Sequence, residues 1–291
     1  MKLKHRGGIE ANVSSIVTEQ GLLHYESIGR GQPIILLHGW INSWDVWRDS
    51  MIALSKTKNY RVYALDFWGF GESAKSTRTA PSTFRVSSYV EMVYQFMNRL
   101  GIQQAPVFGH SMGGTVALQM ALEHPDRVDK VAVVGSPVIG NSLNPFLRLA
   151  GYGVIAKLIW RYPILLHSIM RILLAKDSKE VRHMIFRDVQ RTTIESFFRS
   201  IGDLRDTDLR SALPSLDLPT LGIYGVKDNI VSPSNADLLT KNTPQTQVSM
   251  MKYSRHFPMI DEPQLFIDTL YAFLKNGHPE NPPEVLHKSS E

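Results

Sequence analysis

The chain has 291 residues, 43% of them hydrophobic and 20% charged, with 20 Gly, 16 Pro and no Cys, a composition that excludes collagen-like, low-complexity and wholly disordered chains. The absence of cysteine excludes a disulfide scaffold, a thiol nucleophile and a thiolate metal site. The formal net charge is +5, and residues 138–210 alone hold 12 Lys/Arg and 7 Asp/Glu, so the excess of positive charge is local. No dense basic stripe and no recognisable nucleic-acid-binding module is present, so the sequence does not indicate a nucleic-acid partner.

The first part of the chain, residues 1–137, alternates short β-rich runs with runs of helical spacing, which predicts a mainly parallel sheet with helices on both faces. Several of the β-rich runs are apolar at successive positions, as expected of strands that are buried on both faces. The predicted strands are 13–18, 22–27, 34–37, 61–65, 105–108 and 128–134, and the predicted helices are 85–100 and 112–123.

The pattern changes at residue 138. Residues 138–213 are rich in Leu, Ile and Arg at helical spacing and contain no convincing strand, which predicts an inserted helical cap. Alternation resumes in the second part of the core, residues 214–276, with predicted strands at 220–224 and 247–253. The sheet is therefore predicted to have eight strands in an α/β fold. Residues 277–291 contain three prolines and few apolar residues, which predicts a disordered tail.

A glycine-rich turn, Gly109-His110-Ser111-Met112-Gly113-Gly114, lies between a predicted buried strand and a predicted helix. A Gly-x-Ser-x-Gly match alone is weak evidence for a catalytic serine, so the structural setting of the match must support that role. The two flanking glycines remove side chains that would collide in a sharp strand-to-helix turn, which leaves the Ser111 hydroxyl exposed. The helix that begins near Met112 directs its first N–H groups at the same place, where an oxyanion would form. This pattern predicts Ser111 as a nucleophile.

A nucleophilic serine needs a base, and the base needs an orienting acid; in this architecture they follow in the order Ser, Asp/Glu, His. Asp228 and His256 each come directly after a predicted strand, at the edge where open parallel sheets place their sites. We therefore predict Asp228 as the acid and His256 as the base. Asp66, which precedes the serine, is an alternative acid, although we expect its carboxylate to hold a turn. Other histidines that could be proposed as the base are His38, His110, His124, His167 and His183.

Five spaced motifs carry a resemblance to a known family: His38-Gly39-Trp40, Asp66 to Ser73, Gly109 to Gly114, Gly225 to Asp228, and His256 with Pro258. Over roughly residues 21–274 the chain resembles the α/β-hydrolase superfamily, specifically its single-chain serine esterases and lipases with a helical cap. The resemblance implies Ser111 as nucleophile, Asp228 as acid and His256 as base. It further implies an oxyanion hole made by the backbone N–H groups of Met112 and Trp40.

The chain departs from parts of that superfamily at three places. Ser111 stands where related dehalogenases and epoxide hydrolases have Asp, which argues against both activities. Trp40-Ile41-Asn42 stands where the proline-releasing peptidases favour glycine and proline. Arg255 stands where the residue before the catalytic histidine is usually Gly, which places a cation near the predicted site.

Aromatic side chains cluster in two loops that should rim the pocket, and together with the Leu/Ile-rich cap they predict a small apolar acyl substrate. Packing of the cap against the core explains the tryptophans equally well. The predicted substrate-binding residues are Trp40, Trp44, Phe67 and Phe257. The predicted function is hydrolysis of a carboxylic ester through an acyl-enzyme. A thioesterase, lactonase, C–C bond hydrolase, perhydrolase or non-catalytic binding protein of this fold remains an alternative.

The cap segment 155–174 combines many apolar residues with Lys157, Arg161 and Arg171. One interpretation is a basic amphipathic cap that contacts an anionic membrane; the other is a cap core with a solvated basic edge. Charged residues and a proline interrupt the longest apolar stretch, 158–175, which makes it a poor membrane span. No apolar run that resembles a signal peptide follows the basic N-terminus. We therefore expect a cytoplasmic protein that is at most peripheral to a membrane. We expect neither metal nor cofactor, since no His-Glu-x-x-His and no phosphate-binding glycine loop occurs.

Overall fold

The computed structural model describes residues 2–4, 10–75 and 84–276. These residues contain one sheet of nine strands, which confirms the eight predicted strands and adds a short one at the outer edge. The strands are β1 Lys2–Lys4, β2 Glu10–Val17, β3 Leu22–Gly29, β4 Gln32–Leu37, β5 Tyr60–Leu65, β6 Ala105–His110, β7 Val128–Val134, β8 Thr220–Gly225 and β9 Thr246–Met251. The predicted tail at 277–291 lies outside the described residues.

The strand order is β1-β2-β3-β5-β4-β6-β7-β8-β9. The first three strands pair antiparallel, as does β3 with β5, and every pairing from β5 through β4 to β9 is parallel. The interior strands are buried at nearly every position; Ile34 to Leu37 of β4, for example, are inaccessible to solvent. That burial explains why these runs are apolar at consecutive positions.

Helices cover both faces of the sheet. The helices are α1 Arg48–Ser55, α2 Val86–Leu100, α3 Met112–Glu123, α4 Pro145–Ala150, α5 Gly153–Arg161, α6 Pro163–Leu173, α7 Lys179–Val189, α8 Ile194–Asp206, α9 Asn235–Asn242, α10 Pro258–Asp261 and α11 Pro263–Asn276. Consecutive residues of β6 show the two layers. Phe108 meets Phe273 of α11 at a ring separation of 6.1 Å, whereas Gly109 lies against the backbone of α3.

The helices α4–α8 all lie between β7 and β8, within the predicted cap segment. Polar contacts attach the later two cap helices to the core: Ser43 Oγ donates to Asp188 Oδ2 of α7 at 2.9 Å, and Ser196 Oγ of α8 donates to the Gly69 carbonyl at 2.9 Å. Trp40 Nε1 also donates to the Phe197 carbonyl of α8, at 2.9 Å. No helix among the described residues is long and apolar enough to span a bilayer.

Candidate active site

Ser111 lies at the tip of a strained turn between β6 and α3. Its backbone has φ 51° and ψ −120°, a region that costs a non-glycine residue on the order of 1–3 kcal/mol. Backbone hydrogen bonds hold the turn: the Ser111 N–H donates to Val134 of β7 at 2.8 Å, and the Gly114 N–H donates back to the Ser111 carbonyl at 3.0 Å. The neighbouring strand and the helix therefore both stabilise the turn that presents this hydroxyl.

The two flanking glycines act as the sequence predicts. A Cβ at Gly109 would collide with the backbone of Gly113, and a Cβ at Gly113 would collide with the carbonyl groups of Leu37 and His38. Since backbone cannot move aside as a flexible side chain can, only glycine fits at either place. The close approach also brings the end of β4 next to the start of α3.

His256 and Asp228 form a buried hydrogen-bonded pair. The His256 Nδ1 lies 2.8 Å from Asp228 Oδ2, and since that partner is a carboxylate the Nδ1 carries the proton. The second carboxylate oxygen accepts from the N–H groups of Ile230, at 2.8 Å, and Val231, at 3.1 Å. These contacts fix the carboxylate, orient the ring and leave its Nε2 as the basic nitrogen.

Two other histidines lie near Ser111, and hydrogen bonds occupy them differently. His38 accepts from the Phe67 N–H through Nε2 at 3.0 Å and donates to the Gly39 carbonyl through Nδ1 at 2.7 Å. Burial lowers its pKa to about 4, so it is neutral at pH 7. His110 donates through Nε2 to the His256 carbonyl at 2.9 Å, and burial holds its pKa well below the usual value. Among the described contacts neither ring is hydrogen-bonded to a carboxylate, whereas the ring of His256 is.

Asp66 holds loops together, as its sequence setting predicts. One carboxylate oxygen accepts from the Trp44 N–H at 2.7 Å. The other accepts from the Glu72 N–H at 2.8 Å and lies 2.8 Å from Nδ1 of His24. Asp66 is fully buried and does not line the cavity beside Ser111.

The Gly39–Trp40 peptide lies beside the serine. A Cβ placed on Gly39 would be 3.1 Å from the Ser111 Cβ, so the chain after β4 passes next to the hydroxyl. Met112 is the first residue of α3, where helix N–H groups lack intrahelical acceptors and carry the positive end of the helix dipole. The two backbone N–H groups predicted as the oxyanion hole therefore belong to the two segments that flank Ser111.

A cavity opens at Ser111 and His256; the space free of protein atoms there is about 530 Å³, open solvent at the mouth included. Its wall is almost entirely apolar, and the cap supplies most of it. The residues that line it are Trp40, Ile41, Asn42, Ser111, Leu143, Leu147, Met170, Leu173, Leu174, Ile185, Ile201, Leu204, Ile230, His256 and Phe257. Besides Ser111 and His256, Asn42 is the one polar residue in this lining, and its buried Nδ2 has no hydrogen-bond partner among the described residues.

Two of the four predicted substrate-binding residues, Trp40 and Phe257, line this cavity, and two do not. Trp44 lies at the Asp66 loop, with its ring 5.2 Å from the Arg48 guanidinium. Phe67 is fully buried, with its ring 4.4 Å from that of Tyr89. Both follow motif residues closely in sequence, but the turns that Asp66 holds direct their side chains into the core.

Arg255 faces the cap. Its Nε lies 3.4 Å from Asp177, in the connection between α6 and α7, and its guanidinium donates to Asn229 Oδ1 at 2.6 Å. Asn229 also donates to the Leu173 carbonyl of α6 at 3.2 Å, and it directly follows Asp228 in the chain. The cation noted in the sequence therefore joins the cap to the loops that hold the acid and the base. No sequence signal identified Asp177 or Asn229 as its partners.

Comparison with known proteins supports the fold. A family model described as "alpha/beta hydrolase fold" matches residues 32–157, a range that includes Ser111 and ends before Asp228. The chain is 28% identical over 264 residues to a pimeloyl-[acyl-carrier protein] methyl ester esterase of Aeromonas hydrophila, with 86% of this chain and 98% of that protein covered.

Two solved structures show the same architecture. A hydrolase from Pseudomonas aeruginosa superimposes with a TM-score of 0.78 at 21% identity, over 91% of this chain and 98% of its own. An enol-lactonase from Burkholderia xenovorans superimposes with a TM-score of 0.77 at 23% identity, over 90% of this chain and 99% of its own. At these identities the likeness establishes the fold and leaves the reaction to the site.

Proposed function

The chain has the α/β-hydrolase fold and resembles esterases of that fold, and on this premise we propose that it hydrolyses carboxylic esters through an acyl-enzyme on Ser111. One observation carries the proposal: Ser111 and His256 line the same apolar cavity, while Asp228 holds the opposite nitrogen of the His256 ring at 2.8 Å. A strained serine, an oriented base and an apolar cavity beside them are the parts that acyl transfer requires.

In the proposed mechanism, His256 Nε2 removes the Ser111 proton as the hydroxyl oxygen attacks the ester carbonyl. Asp228 keeps the ring in the correct tautomer and stabilises its charged form. The carbonyl oxygen becomes an anion that the backbone N–H groups of Met112 and Trp40 bind, and loss of one such donor typically costs about 3 kcal/mol of transition-state stabilisation. His256 then protonates the leaving alcohol and activates the water that releases the acid.

The cavity favours an uncharged substrate. None of the described residues that line it is Asp, Glu, Lys or Arg, and a charge moved into such a wall would be left without a partner. The long apolar wall from the cap suits an extended acyl chain, and the unpartnered Asn42 amide suits one polar atom near the ester. The relative of Aeromonas hydrophila is named for a methyl ester, so we include methyl esters of medium-length acyl chains in the proposed substrate class.

The test is hydrolysis of a chain-length series of p-nitrophenyl and methyl esters by the wild type and by Ser111→Ala. We expect the wild type to show an optimum at an apolar acyl chain and the variant to lose about a millionfold in kcat. Thermal unfolding of both proteins controls for folding. Ser15→Ala provides a second serine control, because Ser15 is exposed on β2 and does not line the cavity.

Equal activity of Ser111→Ala and wild type would refute the proposed nucleophile. A folded wild type that is inactive on the whole series would instead favour a non-catalytic binding role. An activity on lactones or thioesters that exceeds the ester activity would keep the mechanism and change the substrate.

A further inference from the structure

The outer surface of the cap carries an unusual concentration of exposed apolar side chains. Fifteen large apolar side chains are exposed among the described residues, and nine of them lie between residues 146 and 172. They are Phe146, Leu149, Tyr152, Val154, Leu158, Tyr162, Ile164, Leu165 and Ile172. We call this set the cap surface. Exposed apolar side chains scattered singly are normal, but a concentration of them in one segment indicates an interaction site.

Five of these nine side chains lie on the outer faces of α5 and α6. On α5, the exposed positions Val154, Lys157, Leu158 and Arg161 follow the i, i+3, i+4, i+7 pattern of one helix face. On α6, Ile164 and Ile172 are 83% and 71% exposed, and lie on the same face as Arg171. A helix that presents bulky apolar groups together with cations to solvent has the composition of an interfacial helix.

The charge of this region has a single sign. From residue 138 to residue 176 the sequence contains five basic residues, namely Arg148, Lys157, Arg161, Arg171 and Lys176, and no acidic residue. All five are exposed or partly exposed in the structure. The first acidic residue after this stretch, Asp177, is buried against Arg255. The cap surface therefore offers uncompensated cations between its apolar side chains.

The opposite face of α6 lines the catalytic cavity. Met170 and Leu173 are buried and contribute to the cavity wall, while Arg171 and Ile172 between them face outward. A single helix thus separates the cavity at Ser111 from the cap surface. Whatever covers the cap surface lies one helix diameter, roughly 10 Å, from the bound substrate.

We propose that the cap surface docks on an anionic phospholipid bilayer, with α5 and α6 lying at the lipid–water interface. Cations attract the negative headgroups, and the apolar side chains between them enter the acyl boundary. The two exposed tyrosines, Tyr152 and Tyr162, suit the headgroup level, where an aromatic ring contacts both water and apolar chains. As a consequence that rests on the proposed function, the docked enzyme takes its ester from the membrane.

Charge and composition favour a bilayer over two other occupants. A second copy of this chain, docked through the same surface, would oppose Lys157, Arg161 and Arg171 to their own copies without any acidic residue from this stretch. An acidic protein would satisfy the cations but would leave the large aliphatic side chains of α5 and α6 without apolar partners. A bilayer offers anionic headgroups to the cations and acyl chains to the aliphatic side chains.

The experiment is co-flotation of the purified chain with vesicles of pure phosphatidylcholine and with vesicles that contain about 30% phosphatidylglycerol, at ~0.1 M and ~1 M salt. The triple variant Lys157→Gln, Arg161→Gln, Arg171→Gln tests the charges, and the double variant Ile164→Ser, Ile172→Ser tests the apolar contact. Their controls are the triple variant Lys56→Gln, Lys58→Gln, Arg99→Gln and the double variant Val17→Ser, Leu265→Ser. All control residues are exposed and lie outside the cap.

We expect the wild type to float with the anionic vesicles at low salt. The charge variant should bind about a hundredfold more weakly, and the aliphatic variant about tenfold more weakly. Both controls should bind as the wild type does. Thermal unfolding shows whether each variant is folded.

Three outcomes would overturn the proposal: no flotation of the wild type, equal loss in the control variants, or loss in the charge variant with no change in the aliphatic variant. The last outcome would show that headgroup charge alone attracts the cations and that the apolar side chains do not enter the bilayer. Flotation needs no catalysis, so Ser111→Ala should float as the wild type does. Failure of the proposed hydrolysis would therefore leave the docking result unaffected, and failure of docking would leave hydrolysis of short soluble esters unaffected.

Discussion

The described residues contain two buried His–Asp pairs with the same Nδ1–Oδ2 distance, and the pairs occupy different regions of the sheet. His24 and Asp66 connect β3 with the loop after β5, at a nitrogen–oxygen distance of 2.8 Å. His256 and Asp228 connect the loops after β9 and β8, at the same distance. In both pairs backbone N–H groups fix the carboxylate. The pairing alone therefore does not define a catalytic dyad.

The pairs differ in what the second ring nitrogen faces. Nε2 of His24 lies 3.9 Å from the buried carboxylate of Glu26. The Ser73 hydroxyl beside this pair accepts from the His24 backbone N–H at 2.9 Å and donates to the Asp66 carbonyl at 2.6 Å, so its hydrogen bonds hold the turn. The ring of His256 lines the cavity together with Ser111, and the loop that carries it is bonded to the serine turn through His110. Position relative to the serine turn, rather than the strength of the pair, separates the candidate catalytic histidine from the structural one.

The largest expected difference between the pairs is kinetic. His256→Gln should lower kcat for the preferred ester by about a millionfold, because the base is lost. His24→Gln should leave kcat nearly unchanged, because His24 contacts neither the serine turn nor the cavity. Steady-state kinetics on folded protein measures both, and a comparable loss of kcat in His24→Gln would contradict the assignment.

The next largest expected effect is the difference between substitutions of the two carboxylates, Asp228 and Asp66. Asp228→Asn should lower kcat about ten-thousandfold, since an amide favours the wrong tautomer of the ring. Asp66→Asn should instead lower the free energy of unfolding by about 3 kcal/mol, because a buried charged network is broken, and should leave kcat largely intact. Urea unfolding and kinetics on the same samples check both outcomes. A loss of kcat that is larger in Asp66→Asn would reverse the two assignments.

The structural pair also predicts how stability depends on pH. Burial opposes the charged form of His24, but the hydrogen bond and charge of Asp66 outweigh it and raise the pKa of His24. Burial likewise opposes the charged form of Asp66, yet His24 contributes most to a pKa that is lowered overall. The stabilisation from His24 is complete below about pH 6.5 and is lost as the pH rises through its folded-state pKa. That from Asp66 is complete above about pH 4 and is lost as the pH falls through its folded-state pKa.

The wild type and Asp66→Asn should therefore differ most in unfolding free energy between about pH 4 and pH 6.5, and less at about pH 9. Urea unfolding of both proteins at about pH 5 and about pH 9 measures this difference. A gap that is constant over that range would show that the two groups do not stabilise the fold as an ion pair.

The smallest expected effect concerns the link between the cap and the candidate catalytic loops. Arg255→Gln and Asp177→Asn should each lower kcat/KM by about threefold to tenfold, with a coupling energy of about 1 kcal/mol in the double variant. The matched control is the surface pair of Arg210 and Asp208, for which we expect no change in activity. Strictly additive effects of the Arg255 and Asp177 substitutions would show that the cap does not act through this pair.

The sequence predicts those features that local patterns determine. Gly109 and Gly113 identify the serine turn because no other residue fits their backbone contacts, and the apolar runs locate the strands whose ends carry Asp228 and His256. Asp66 was predicted to hold a turn, and its three donors agree with that prediction. The assignment of Ser111, Asp228 and His256 as catalytic stays a prediction until kinetics test it.

Features that depend on long-range packing could not be predicted. Which face of α6 turns inward depends on tertiary packing, so the sequence did not single out Met170 and Leu173 as cavity wall. Phe67 was expected at the pocket because it follows a loop motif, but its side chain fills the core beside Tyr89. Likewise, the sequence placed the cation of Arg255 near the site but did not identify its partner, Asp177, which lies in the cap.

The insertion of the cap between β7 and β8 sets the order in which the chain is completed. Strands β1 to β7, together with Ser111, precede the cap, whereas Asp228 and His256 follow it. Pairing Val131 of β7 with Thr220 of β8 closes a loop that contains all five cap helices, and such closure is entropically costly. During synthesis, the serine turn can therefore form while Asp228 and His256 are still untranslated. In the proposed mechanism Ser111 needs both, so a nascent chain would gain activity only after β8, β9 and the loops that follow them have been added.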